Sequence, residues 1–515
     1  MQASLFALPV SLTEPTIRAG AQPLGARLVA RAEALATRRN ARLLLGGAVL
    51  VLLAVFLLRK TYPNYDTYYT LIWGDQLAHG HLPDYDVFRT PTPHPLATLF
   101  AAGASFLGGA ADRFMVLVTM GSFLALVVLL FRFTQVLLGS LVALVAAAVL
   151  LTRADLEFYA LRGIVDVPFL ALVFGAAVLE VTRPRRGVPV LVLLGLAGLL
   201  RPEAWVLSGA YVLWLTYGSP DCLRALVRYG AIAAVAPVLW LLADWAVTGE
   251  PLYSLTSTRE VAGEFGRQRG FFEAVRLIPD YVGANEKIVN VAAGGLGLLL
   301  ALWLLRARAA LAVGLAAVGL ATFLAISVAG LSVIPRYLVI PSLLLNLCVA
   351  AALAGWTLVK EPRARRVAIA VAALGLALVV FRAPAYLNDF RKLNGQTTFV
   401  QSQYQDLKRV LDDPRVVPLL RSCGPITVPT HSAIPVIRFE TGLPKQAFQP
   451  SIAQKRPPDH GLLFIGETFN FEPAAARSTT GVSEKSAAQW WSNYPLSTFR
   501  YVAGDGRWRV YANCT

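Results

Sequence analysis

Long apolar runs alternate with short polar connections along most of the chain. Eleven such runs follow residue 42, at 43–58, 114–131, 138–151, 164–181, 188–200, 203–217, 229–247, 288–304, 309–330, 337–356 and 367–381. A helix needs roughly 17–25 residues to cross a bilayer. The pattern therefore predicts a polytopic α-helical membrane protein with about eleven transmembrane helices, the shorter runs being tilted or extended into their polar flanks.

The composition supports this fold class. Of the 515 residues, 56% are hydrophobic and 15% are charged, whereas soluble domains contain about 45–50% apolar residues. The net charge of +16 is compatible with nucleic-acid binding. However, the basic residues cluster between apolar runs, which is typical of the cytoplasmic loops of membrane proteins. We therefore expect a lipid bilayer, and no nucleic acid, as a partner.

The distribution of basic residues also predicts the orientation. A basic leader precedes the first run, and the connections after the second, fourth, sixth, eighth and tenth runs carry arginine or lysine, which places them on the cytoplasmic side. We expect the first run to be a signal anchor in the plasma (inner) membrane, with the N-terminus in the cytoplasm. An odd number of spans then places the C-terminal segment outside the cell.

Three domains are predicted: a cytoplasmic tail at 1–41, a transmembrane domain at 42–383, and a small extracytoplasmic α/β domain at 384–515. In the last, residues 400–412 have helical spacing. Three segments read as strands, GPITVPT (424–430), IPVIRFE (434–440) and GLLFIG (461–466), and FRYVAGDGRWRVY (499–511) reads as a hairpin turning at residues 504–506. Cys423 and Cys514 both lie in this domain, so we expect them to form a disulfide on the oxidising side.

One polar segment directly follows the first apolar run. It reads YPNYDTYYTLIWGDQLAHGHLPDYDVFRTPTPHP and contains four aspartates and three histidines: Asp66, Asp75, Asp84, Asp86, His79, His81 and His94. Asp66 opens a run with helical spacing that we expect to lie in the membrane interface. Its carboxylate is either a helix N-cap or a catalytic group. The abundance of acids and bases on the same predicted outer face favours the catalytic role.

Further candidates lie in the other predicted outer loops. Asp155 and Glu157 are close to Arg153 and Arg162, with Asp166 at the mouth of the fourth span. Either these groups pair with one another in a solvated loop, or they contribute to a site, because carboxylates at membrane depth are costly to retain.

Two arginines occur at the outer ends of later spans. Arg201 either pairs with Glu203 or faces a ligand, and Arg336 either snorkels to the interface or binds a phosphate, which a guanidinium can hold through two hydrogen bonds. The histidines are not spaced as zinc ligands.

With these residues in view, the chain resembles the GT-C superfamily of polyprenyl-phosphate-sugar-dependent glycosyltransferases. That superfamily includes protein O-mannosyltransferases, lipid A aminoarabinose transferases and actinobacterial mannosyl- and arabinosyltransferases. The resemblance extends over residues 43–381. It consists of a first span, an outer loop with an early aspartate (Asp66) and two interfacial helices at about 67–79 and 96–108, and a second acidic outer loop with Asp155 and Glu157. An outer C-terminal domain follows.

The resemblance implies an enzyme that transfers a sugar from a polyprenyl-phosphate donor to a hydroxyl of an extracytoplasmic glycan, lipid or protein, with inversion. Asp66 would be the general base. Arg336, and also Arg201 or Arg162, would bind the donor phosphate. Asp155, Glu157 and His94 would position the acceptor, or hold a divalent cation. No cofactor is required on this view, because the leaving group is already a phosphate flanked by arginines.

Three other functions remain open at this stage. A transporter or flippase of lipid-linked sugars would share the basic outer cavity, although it often has internal repeats and none is recognisable here. A ligase or polymerase would use a diphosphate-linked glycan donor. A non-catalytic assembly protein would retain its activity when Asp66 is replaced by asparagine.

Overall fold

The computed structural model describes residues 24–264, 266–428, 431–450, 459–466 and 498–514. The helices are α1 Leu24–Leu35, α2 Arg38–Leu58, α3 Tyr65–Ala78, α4 Pro95–Ala104, α5 Ala111–Leu138, α6 Ser140–Leu150, α7 Ala154–Leu161, α8 Asp166–Thr182, α9 Val188–Gly198, α10 Glu203–Thr216, α11 Cys222–Thr248, α12 Tyr253–Glu264, α13 Phe271–Val328, α14 Val339–Ala354, α15 Pro362–Leu411, α16 Leu419–Ser422 and α17 Ile434–Thr441. The strands are β1 Ile426–Val428, β2 Phe448–Pro450, β3 Gly461–Ile465, β4 Arg500–Asp505 and β5 Trp508–Asn513.

Each predicted apolar run coincides largely with a helix of this structure, and the runs 288–304 and 309–330 share α13. In the described part of the chain, six helices are long and apolar enough to cross a membrane, or up to eight if each of two bent pairs is one span. The polytopic helical fold is therefore confirmed, whereas the count of eleven spans is not. Helices α6 and α9 have only 11 residues each, which is shorter than a straight crossing requires.

The helical bundle is held together by close packing around α13 and α14. Gly297 of α13 lies directly against the backbone of α14, where a Cβ atom would fall 1.8 Å from the carbonyl oxygen of Cys348. A larger residue at this position would push the helices apart. Helix α13 is broken at Lys287, whose φ of 63° is left-handed, so its first part turns away from its second by 97°.

Helix α3 is covered by other parts of the protein along most of its length. Its residues from Thr67 to Gly74 are all buried. Gly74 allows α4 to cross in direct contact, because a Cβ there would lie 2.6 Å from the backbone of Ala101. Helix α17 covers another side, and Phe439 packs edge-on against Tyr68 at 5.4 Å. The sequence did not show which elements cover α3, and the placement of this helix in the membrane interface stays a prediction.

The C-terminal region contains a five-stranded sheet in the order β2-β1-β3-β5-β4. Strand β1 is parallel to β2 and β3, while β5 is antiparallel to β3 and β4. The predicted hairpin and the strands in 424–430 and 461–466 are confirmed. The segment IPVIRFE is not a strand but helix α17. Pro435 occupies its first turn, where a missing N–H costs nothing, whereas it would remove a hydrogen bond from a sheet.

Two other predictions concern this region: its boundary with the transmembrane domain and its disulfide bond. The predicted helix at 400–412 is the end of α15, which runs without a break through the boundary predicted at 383/384. The predicted disulfide is confirmed: Cys423, after α16, is bonded to Cys514, after β5.

Replacing both Cys423 and Cys514 with serine is expected to lower the free energy of unfolding of the C-terminal region by about 4–5 kcal/mol, because the bond closes a long loop in the unfolded chain. The loop spans 91 residues. Thermal proteolysis of the purified protein would measure the change. Cys222→Ser is the matched control, since this thiol is free and exposed. An equal loss of stability in the control, or two free thiols by non-reducing mass spectrometry, would contradict the prediction.

Candidate active site

The start of α3 is fixed by contacts with two distant parts of the chain. Asn64 is the N-cap, and its side-chain oxygen accepts hydrogen bonds from the backbone N–H (3.1 Å) and hydroxyl (2.7 Å) of Thr67. The carbonyl of Pro63 accepts from Arg162 at 3.1 Å and from the Tyr404 hydroxyl at 3.2 Å. Since Asn64 caps the helix, the carboxylate of Asp66 in the next turn is not needed for capping.

Asp66 is only partly exposed and lies within electrostatic range of Arg336, Asp166 and Arg267. Burial raises the pKa of Asp66 above its ordinary value, and the negative charge of Asp166 adds to the rise. Arg336, Arg267 and a hydrogen bond with Asn64 oppose it. A carboxylate with a raised pKa accepts a proton more readily than a solvated one, which suits a general base.

A buried charge cluster lies beside Asp66. Arg201 forms ion pairs with Asp166, the first residue of α8, and with Glu203, the first residue of α10. The guanidinium of Arg201 also lies 4.9 Å from the ring of Tyr337, a cation–π contact. Two carboxylates therefore already surround this arginine, and the charge of Asp166 also acts on Arg336.

Arg336 differs from Arg201 because it forms no ion pair with a carboxylate among the described residues, although the charges of Asp166 and Asp66 act on it. Within the residues that the structure describes, its Nε atom is buried without a hydrogen-bond partner, as is the Oδ2 atom of Asp166. Its loop is held from α13, where the Tyr281 hydroxyl donates to the Val333 carbonyl at 2.9 Å and Asn285 donates to the Pro335 carbonyl at 3.0 Å. A fixed guanidinium with unused donors is prepared to bind an anion.

A narrow cleft, with an internal volume of about 20 Å³, joins these charges to an apolar wall. At its charged end are Asp166, Arg201, Glu203 and Arg336. The remaining lining comes mainly from apolar or aromatic residues of α8, α13 and α14 and the loop before α14: Phe169, Leu170, Gly319, Tyr337, Val339 and Ile340, together with Thr322. The lining combines charged groups with an apolar wall, and the space between them is that of about one water molecule.

The structure places His94 with the two arginines of this cluster. It precedes α4, is packed 6.0 Å from the ring of Trp240, and its Nδ1 atom has no hydrogen-bond partner among the described residues. Burial, together with the charges of Arg201 and Arg336, lowers the pKa of His94 to about 3. The ring is therefore neutral near pH 7 and does not add to the positive charge.

The other predicted site residues are not grouped with Asp66. Arg162 lies between the rings of Phe158 and Tyr404, at 5.9 and 6.0 Å, and supports the Pro63 carbonyl. Asp155 forms a two-pronged ion pair with Arg153, at 2.7 and 2.8 Å, as one of the alternatives for this loop anticipated. The charge of Asp155 also acts on Glu157. Their roles in acceptor positioning remain predictions.

No cluster of three or more histidine, cysteine, aspartate or glutamate side chains suited to a metal occurs in the described ranges. Asp166, Glu203 and Arg267 lie with these groups, although sequence reasoning assigned none of them a specific catalytic or phosphate-binding role. A carboxylate at the start of an apolar helix was a usable signal for Asp166 and Glu203. Arg267 could not be assigned, because its proximity to Asp66 depends on how the long connection after α12 folds back.

Comparison with known proteins identifies the fold. No protein-family model matches the chain, and no curated protein matches it in sequence. Two solved structures of ArnT from Cupriavidus metallidurans are similar to it over 91% of this chain and 98% of theirs. The apo state has 15% sequence identity and a TM-score of 0.54; the state bound to undecaprenyl phosphate has 13% identity and a TM-score of 0.49. The likeness to the apo structure shows that this chain has the fold of ArnT.

Proposed function

We propose that the chain is a membrane glycosyltransferase that moves a sugar from a polyprenyl-phosphate donor to a hydroxyl of a glycan, lipid or protein acceptor. The observation that carries the proposal is the pairing of a partly exposed carboxylate, Asp66, with a guanidinium, Arg336, whose donors are unused. Arg336 lies at the charged end of a cleft with an apolar wall, and the charge of Asp66 lies within its electrostatic range. The GT-C fold supports the same class of reaction.

In the proposed reaction, Asp66 accepts the proton of the acceptor hydroxyl as its oxygen attacks the anomeric carbon of the donor sugar. The bond between that carbon and the phosphate oxygen breaks, and the polyprenyl phosphate leaves with the electron pair. Attack from the face opposite the phosphate inverts the anomeric configuration. Arg336 stabilises the charge that develops on the phosphate, the kind of interaction that is strongest in a site with little water.

The other predicted donor ligands have different roles in this proposal. Arg201 holds Asp166 and Glu203 and thereby shapes the charged end of the cleft, while Arg162 fixes the loop that leads into α3. We propose no required cofactor. The protein would lie in the plasma membrane with its N-terminus in the cytoplasm, and its C-terminal domain and Asp66 would face the opposite side.

The donor that the protein consumes distinguishes the proposed transferase from two alternatives. A ligase or polymerase would consume a diphosphate-linked glycan, and a flippase would consume no donor. The protein reconstituted in vesicles is expected to consume a radiolabelled polyprenyl-monophosphate sugar when an acceptor fraction from a bacterial envelope is present, because Arg201 is already paired with two carboxylates and Arg336 remains to bind one phosphate. Thin-layer chromatography of the labelled lipid measures the loss. Consumption of only the diphosphate donor would refute the proposal.

A further inference from the structure

The loop between α3 and α4 is held in place by side-chain contacts with the C-terminal domain. Its residues Asp84, Asp86 and Arg89 contact Arg438 (2.5 Å), Lys445 (3.3 Å) and the Nδ1 atom of His431 (3.5 Å) respectively. The three partners come from the segment 431–445, which includes α17. We call this segment the C-terminal clamp. It reaches across more than three hundred residues of sequence to the loop that directly follows the helix of Asp66.

The contact between Arg438 and Asp84 is the strongest of the three. Only 3% of the Arg438 side chain and 18% of the Asp84 side chain are exposed. Arg438 also donates through Nε to the Leu443 carbonyl at 3.3 Å. Removing one member of a buried ion pair leaves the other uncompensated, which is costly. By contrast, the Asp86 side chain is 99% exposed, so its pair with Lys445 contributes little.

The same loop also forms contacts with α3, through Tyr65 and Trp73. The hydroxyl of Tyr65 donates to the carbonyl of Arg89 at 2.6 Å, and the ring of Tyr65 meets that of His431 edge-on at 5.1 Å. Arg89 has a φ of 55°, a left-handed conformation that a side chain other than glycine adopts only when its surroundings hold it. Trp73 of α3 donates to the Asp84 carbonyl at 3.3 Å.

The conformation of this loop therefore depends on the clamp as well as on α3. We propose that the C-terminal clamp is part of the catalytic apparatus: Arg438 and His431 are positioning residues that hold the loop 84–89 against Tyr65, and thereby set the geometry around Asp66. The inference rests on the proposed function. It assigns the C-terminal domain a role in the transfer step itself, distinct from that of an appended module that only captures a carbohydrate.

Breaking the buried pair from either side tests this role. Asp84→Asn, Arg438→Gln and the double variant are compared with Arg415→Gln, which removes an equal charge from an exposed pair with Asp413 in the same domain. Hydrogen exchange of peptides from 81–94 reports the loop, and the kcat and KM of sugar transfer report the reaction. We expect faster exchange and about a 10²-fold loss of kcat in both single variants, because small misplacements of catalytic geometry are costly. Arg415→Gln should change neither.

The double variant makes the test specific to the contact. If the two residues act through one another, the double variant loses no more transfer than either single variant, since their effects are not additive. Additive losses, or single variants with normal kcat, would overturn the proposal. Asp84→Asn changes only the loop side, so it decides the matter even if Arg438→Gln does not fold. If the unaltered protein transfers no sugar, the proposed function fails, while unchanged loop exchange in Asp84→Asn would separately refute the clamp.

Discussion

Replacing Asp66 with asparagine is expected to lower sugar transfer by about 10²–10⁴-fold, the contribution of a well-placed general base. The amide keeps the shape of the carboxylate but cannot accept the proton. Because Asn64 caps α3, the substitution should leave the helix and the fold intact. Initial rates with saturating donor and acceptor, measured on protein with an unchanged melting temperature, would check this expectation.

The pH dependence of the rate of the unaltered protein provides a second test of the role of Asp66. The base must be ionised, and burial raises the pKa of Asp66, so activity should fall with acidification at a higher pH than the ordinary aspartate pKa of about 3.9. Asp75→Asn on the same helix is the control, because Asp75 is exposed and pairs only with His79 across one turn. Normal turnover by the Asp66 variant would exclude it as the base.

Replacing Arg336 with glutamine is expected to reduce kcat/KM for the lipid donor by about 10²–10³-fold, the typical effect of removing one group that stabilises transition-state charge. The loss should appear mainly with the donor, and Arg336→Lys should recover part of it, since lysine restores the charge but not the two-pronged hydrogen bonding. Donor titrations at fixed acceptor concentration would measure both effects.

The matched control for Arg336 is Arg276→Gln. Arg276 is an exposed arginine of α13 whose guanidinium pairs with Glu273 at 2.7 Å, so its removal changes the net charge equally without touching the cleft. A donor defect of the same size in both variants would indicate a general surface-charge effect. An unaltered donor KM and kcat in Arg336→Gln would remove the phosphate-binding role.

Local patterns were sufficient to predict the helical nature of the apolar runs, the β4–β5 hairpin and the disulfide. These features depend on hydrophobic runs, a glycine-rich turn and the redox side of two cysteines, all of which are readable over short distances. The number of spans could not be predicted from local patterns, because the length of an apolar run does not show whether a helix crosses the membrane, bends or ends within it. Helix α17 was missed because the apolar run around Pro435 fits a strand and a helix alike.

The site was predictable only in part, for a similar reason. Asp66 and Arg336 stand out as charges at the ends of apolar runs, and the structure brings them within electrostatic range. Arg162 has the same appearance in the sequence, yet it hydrogen-bonds a backbone carbonyl instead. His431 gave no signal at all, because its contact with Arg89 exists only after the C-terminal domain has docked.

Helix α15 connects that domain to the bundle in an unusual way. It has 50 residues, so it is about 75 Å long at 1.5 Å per residue, and Tyr404 near its end touches the Pro63 carbonyl. Each residue inserted into this helix would turn everything beyond it by about 100° and lift it by about 1.5 Å. A two-turn insertion would restore the angle but raise the domain by about 10 Å. The number of residues in α15 therefore fixes both the distance and the rotation of the outer domain relative to the bundle.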